Sequence, residues 1–183
     1  MRLLATVFAF LLVLSGTAFA QGKAYVEGTV AHSDSGDLDV GGYGFPTDST
    51  YMIGLAIGGL LANAVSVEGE LTYSKRDIGS YNESLATMAI MANVYYNFQI
   101  ANMIGGYAGL GVGGARQDLD WSGGSDDQFV AAYQVLFGLT WAVNNIILFS
   151  EYRYQASQDA EFGGTDVEYN SHNVGVGIRI PLN

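Results

Sequence analysis

From residue 23 onward the sequence alternates, segment after segment, between apolar residues and polar or small ones. Successive side chains of a strand point to opposite faces, so a sustained period of two demands a sheet with two unlike faces. Eight such segments can be marked: 23–32, 49–60, 64–75, 84–98, 103–117, 128–141, 145–155 and 169–180. Each reaches or exceeds the roughly 9–11 residues that a tilted strand needs to cross a bilayer. The connections alternate too. Those at 61–63, 99–102 and 142–144 are short, whereas those at 32–50, 76–83, 119–127 and 156–168 are longer, polar and rich in Gly, Ser and Asp. Short turns at one rim and long loops at the other predict an all-β, eight-stranded antiparallel up-and-down barrel, with short periplasmic turns and longer extracellular loops.

The two faces differ in kind. One collects Val26, Val30, Ile53, Leu55, Val67, Leu71, Ile90, Val94, Leu110, Val112, Leu148, Val174 and Val176. The other collects Glu27, Glu68, Glu70, Gln134, Glu151, Arg153 and Arg179, interspersed with glycines such as Gly109, Gly111 and Gly113. A soluble, lipocalin-like barrel would turn the apolar face inward. The aromatic positions favour the reverse. On the apolar face Tyr51, Tyr73, Phe129, Tyr152 and Tyr154 lie beside the long loops, and Tyr96, Phe98 and Trp141 lie beside the short turns. Two aromatic rings bordering an aliphatic band are the girdles of a transmembrane barrel. The polar face then lines an interior with room for side chains rather than an aqueous channel. Glu27, Glu68, Glu70, Gln134, Glu151, Arg153 and Arg179 are expected to form a hydrogen-bonded ion network there, because an isolated buried charge is costly.

Composition agrees. The chain is 49% hydrophobic and only 14% charged, yet no stretch of the mature sequence is long and apolar enough for a membrane helix. There are no cysteines, so no disulfide supports the sheet. Pro46 and Pro181 fall in a loop and at the last strand's end, where no ladder donor is lost. Residues 1–20 read as a cleaved signal peptide: Arg2, an uncharged apolar run from Leu3 to Leu14, then Ala18-Phe19-Ala20 before Gln21. Residues 21–183 are then the barrel domain, with 6 Lys+Arg against 18 Asp+Glu and a formal charge of 6 − 18 = −12 once Arg2 is removed. Such a charge excludes nucleic acid as a partner, since its backbone selects basic surfaces.

Catalytic chemistry finds little support. His32 and His172 are the only histidines and no thiol is present, so no metal, cofactor or catalytic site is expected. The acidic loops are the other candidate: Asp34, Asp37, Asp39 and Asp48 in the first, Asp118, Asp120, Asp126 and Asp127 in the third, and Asp159, Glu161, Asp166 and Glu168 in the fourth. They could hold divalent cations, including those that bridge lipopolysaccharide, although a solvated acidic surface is the plainer expectation.

Three motifs carry a resemblance. The run Gly105-Gly106-Tyr107-Ala108-Gly109-Leu110-Gly111-Val112-Gly113 resembles the central glycine-rich strand of the outer-membrane β-barrel superfamily that includes OmpA-like, OmpX-like and Opa-like proteins. Glu151-Tyr152-Arg153-Tyr154 resembles its penultimate strand. The last strand, with Asn173, Gly175, Ile178 and Ile180, is similar to the signal read by the barrel assembly machinery, but it runs on through Pro181-Leu182-Asn183 where family members often end on Phe or Trp. The resemblance implies a porin-family protein of the Gram-negative outer membrane, in contact with its lipid and lipopolysaccharide and inserted by that machinery, and a barrel alone without a peptidoglycan-binding domain. A structural or surface-interaction role is expected, with a small porin or solute channel as the alternative. A rim-located lipid A hydrolase is a third reading. Ser171 and His172 lie near the outer rim, but adjacent residues of a strand point to opposite faces, and the His-x-Ser-Asn order of those hydrolases is missing.

Overall fold

The computed structural model describes residues 24–35, 38–40, 43–45, 50–78, 83–121, 124–158, 160–162, 165–168 and 170–182. The proposed signal peptide lies outside the described residues. Eight long strands form the barrel: β1 (Ala24–Ser35), β2 (Thr50–Ala62), β3 (Val65–Ile78), β4 (Glu83–Ala101), β5 (Ile104–Trp121), β6 (Gly124–Val143), β7 (Ile146–Ser157) and β8 (Asn170–Leu182). Each pairs antiparallel with its sequence neighbour, and β1 closes the cylinder against β8. Closure leaves no edge of unpaired amides, the condition for a sheet in lipid.

All eight expected segments are strands, and most run further than expected toward the long-loop rim. The largest extension is at β5 and β6, 18 and 20 residues long, whose ladder continues out to Trp121↔Gly124. Residues 119–127, expected as a loop, are therefore mostly a hairpin. The first and fourth connections also carry strands that the alternation did not reveal. Leu38–Val40, Tyr43–Phe45, Ala160–Phe162 and Thr165–Glu168 form a four-stranded sheet that joins the two loops beyond the rim. These pieces are three or four residues long, too short for a period to register.

The short-turn rim follows from local chemistry. Asn63-Ala64, Asn102-Met103 and Asn144-Asn145 are two-residue turns. Asn144 has φ 54°, the one positive φ at a non-glycine among the described residues. Asn tolerates this left-handed region better than most residues, which suits a tight hairpin.

Register builds the two faces. Outside, Val94, Leu110 and Val135 stand side by side on β4, β5 and β6, and Val176, Val30 and Ile53 on β8, β1 and β2. Leu110 at 66% and Val176 at 63% exposure have no protein cover, as expected of a lipid-facing wall. Val67 departs from its row. It is in register between Gly59 and Val94 and is only 3% exposed.

Candidate functional site

The feature that dominates the interior is a cross-barrel network, built on inward positions of seven strands. Arg153 on β7 is 1% exposed, and its Nη2 lies 2.6 Å from Glu70 Oε1 on β3 and 2.8 Å from Glu151 Oε1. Its Nε also donates to Glu151, at 3.1 Å. Asn93 on β4 donates to Glu70 at 2.9 Å and to Glu68 at 3.3 Å, and its own Oδ1 accepts from Gln134 Nε2 on β6 at 2.7 Å. Gln134 also donates to Glu70, at 3.1 Å. Toward the short-turn rim Arg179 Nε donates to Glu27 at 2.8 Å, and its guanidinium lies 4.2 Å from the centre of the Tyr25 ring. Two guanidiniums thus pair with three of the four carboxylates, Glu27, Glu70 and Glu151. Much of the remaining acceptor capacity is taken by phenols: Tyr25 and Tyr95 donate to Glu68 at 3.1 and 3.0 Å, and Tyr107 to Glu151 at 2.7 Å. Hydrogen bonds to charged groups contribute about 1.5–3 kcal/mol each, so these phenols help stabilise the buried carboxylates.

The phenols are the residues that the reading by hydropathy passed over. Tyr25, Tyr95, Tyr107 and Phe149 all point inward and are at most 6% exposed. Strand parity carried the signal, since Tyr25 shares a face with Glu27, Tyr95 with Asn93, Tyr107 with Gly109 and Phe149 with Glu151. They also account for four glycines on the neighbouring strands. Tyr25 is in register with Gly58, Tyr95 with Gly109, Tyr107 with Gly138 and Phe149 with Gly177. In each pair a methyl group on the glycine would overlap the ring. Four inward rings lie over four bare stretches of backbone, and Tyr107 packs edge-on to both Tyr95 (5.3 Å) and Phe149 (6.4 Å).

Nearer the long loops the inward hydrogen bonds end on serine hydroxyls. Arg76 donates to Ser33, Gln117 to Ser157 and Asn173 to Ser171, all buried. Ser171 is 1% exposed inside, whereas His172 stands outside with Nδ1 2.8 Å from Tyr152 Oη, so the wall separates the serine from the imidazole. On the outer face, Tyr51, Tyr73, Tyr96, Phe98, Phe129, Trp141 and Tyr152 are exposed and Tyr154 is half-buried. Tyr152 sits deeper than Tyr154, in register with Phe137 and Val174, and Tyr133 is a further exposed ring on β6. Among the acidic loop residues, Asp34 and Asp127 are exposed, and Asp118 and Asp127 both pair with Arg116. The side chains of Asp37, Asp39, Asp48, Asp120, Asp126, Asp159, Glu161, Asp166 and Glu168 lie outside the described residues. Among the described residues no cluster of three or more His, Asp or Glu side chains has metal-binding geometry.

No curated protein matches the sequence significantly. Solved structures do share the fold. A Neisserial surface protein, NspA, superposes with a TM-score of 0.67 at 20% identity, covering 86% of this chain and 96% of its own. Ail, the attachment invasion locus protein of Yersinia pestis, gives 0.51 at 14% identity over 86% and 99%. The N-terminal barrel of Pseudomonas aeruginosa OprF gives 0.51 at 15% over 85% and 97%. The family described as "Outer membrane protein beta-barrel domain" matches residues 6–179, nearly the whole chain. With its closed eight-stranded wall and apolar exterior, the chain belongs to this family of Gram-negative outer-membrane β-barrels.

Proposed function

We propose that this barrel is a non-enzymatic scaffold that crosses the outer membrane without conducting and holds acidic loops at the cell surface. One observation carries the reading: the lumen is crossed by direct contacts among Glu70, Asn93, Gln134, Glu151 and Arg153, from β3, β4, β6 and β7. Opposite walls are tied together at one level, and the rings of Tyr95, Tyr107 and Phe149 fill the space next to them. The loops supply the rest of the reading. The first and fourth share a small sheet, and residues 36–49 and 158–169 together contain seven acidic residues and no Lys or Arg. Such a platform favours divalent cations or a basic partner surface. Attachment is the role named for Ail, whose fold this chain shares.

Two parts of the reading concern biogenesis. Cleavage before Gln21 gives the mature chain, and the last strand, through Gly175, Ile178 and Ile180, engages the assembly machinery.

Planar-bilayer recording tests the closed lumen. The wild type is expected to give no discrete openings, whereas the Glu70→Ala/Arg153→Ala variant, without both ends of the 2.6 Å ion pair, should admit ions more readily. Stable ohmic steps from the wild type would replace this reading with the small-porin one.

A further inference from the structure

The lipid-facing wall is not uniformly covered. In register, Gly106 stands beside Leu139 and Ala108 beside Phe137 across β5 and β6, while Leu139 stands beside Ser150 and Phe137 beside Tyr152 across β6 and β7. Ala108 and Ser150 add little bulk, so the larger side chains stand around a groove of about 600 Å³. Phe98 borders it toward the short turns, and Tyr152 and Val174 border it toward the long loops.

The upper end of this groove is polar. Tyr152 Oη is hydrogen-bonded to His172 Nδ1 at 2.8 Å, and the Tyr154 ring lies 5.1 Å from the imidazole. With Tyr152 donating, the imidazole proton resides on Nε2, which leaves that nitrogen as a donor. Asp34, exposed on β1, is in register with His172. Ser150 and Tyr154 are four strand residues apart, about 13 Å, within the reach of one acyl chain.

We propose that this groove and the His172 rim form a binding site for one lipopolysaccharide molecule of the outer leaflet. One acyl chain lies over Ala108 and Ser150, and a phosphate accepts from His172 Nε2. Asp34 shares the divalent counter-cation of that phosphate, a hard ion suited to carboxylate and phosphate oxygens. The occupant must come from the bilayer, because the groove opens on the wall that faces hydrocarbon. It must come from the outer leaflet, because the polar end lies beside the long loops. The site depends on the orientation of the barrel and not on what the loops bind.

The test is lipid retention, read by native mass spectrometry. Barrels refolded in bilayers containing lipid A, phosphatidylethanolamine and Mg²⁺ are extracted in mild detergent. The wild type is expected to keep one lipid A in preference to phosphatidylethanolamine. Ser150→Phe, which fills the groove, should lower retention about tenfold, equivalent to losing contact with a few methylenes. His172→Gln should lower it as well, and Leu55→Phe, on the opposite side of the wall, should not. A heat-modifiable gel shift verifies that every variant has folded. Equal retention by wild type and Ser150→Phe, or no preference for lipid A over phosphatidylethanolamine, would overturn the site.

Discussion

At the scale of single residues the interior is organised by two kinds of pair: carboxylate with guanidinium or phenol, and ring with glycine. The second kind makes a quantitative prediction. Gly138→Val forces Tyr107 away from its place between Tyr95 and Phe149, and overpacking of this kind costs typically about 1–3 kcal/mol. In a Tyr107→Ala background the same substitution should cost clearly less. The coupling is readable from a double-mutant cycle of urea unfolding in lipid. Equal costs in both backgrounds would show that glycine serves only to bend the wall. How far these residues could be read beforehand depended on the property used. Hydropathy picked out Glu27, Glu68, Glu70, Gln134, Glu151, Arg153 and Arg179, all of them buried and hydrogen-bonded. It passed over Tyr25, Tyr95 and Tyr107, because a phenol looks apolar on average while its hydroxyl serves a polar interior. Strand parity was the better guide there, since side-chain direction is fixed by position rather than by chemistry.

At the scale of elements, the membrane-spanning parts were legible and the outer parts were not. A strand between lipid and a polar lumen must alternate, and β1 to β8 do so throughout their buried stretches. Above the bilayer both faces meet water, and the constraint disappears. That is why the outward extension of β5 and β6, and the four short strands beyond the rim, left no periodic trace. Turns are specified by another signal. Asn opens all three short turns, and Asn144 takes a positive φ. The lipid-facing assignment can be tested strand by strand. Leu110→Arg, in the aliphatic row with Val94 and Val135, should destabilise the refolded barrel by about 2–4 kcal/mol, as a midplane cation does. An Arg in place of exposed Lys75, near the outer end of β3, should cost next to nothing. Similar values at the two sites in urea titrations would contradict the depth assigned to them.

At the scale of the whole molecule, this chain inverts the arrangement of a water-soluble domain. Across the barrel wall the exposed side chains are largely aliphatic and aromatic, Glu27, Glu68, Glu70, Glu151, Arg153 and Arg179 are buried inside, and the wall closes on itself so that no barrel strand is left with a free edge. Water cannot stabilise such an exterior. The fold should therefore require an amphiphile, and once formed it should resist detergent because unfolding in lipid exposes every ladder amide. Refolding the chain from residue 21 into detergent or lipid, then comparing unboiled with boiled samples on an SDS gel alongside circular dichroism, examines this directly. The inverted barrel predicts a shifted band before boiling and β-rich dichroism only when amphiphile is present. Folding in plain buffer, with no change of mobility on heating, would mean that the apolar face points inward after all.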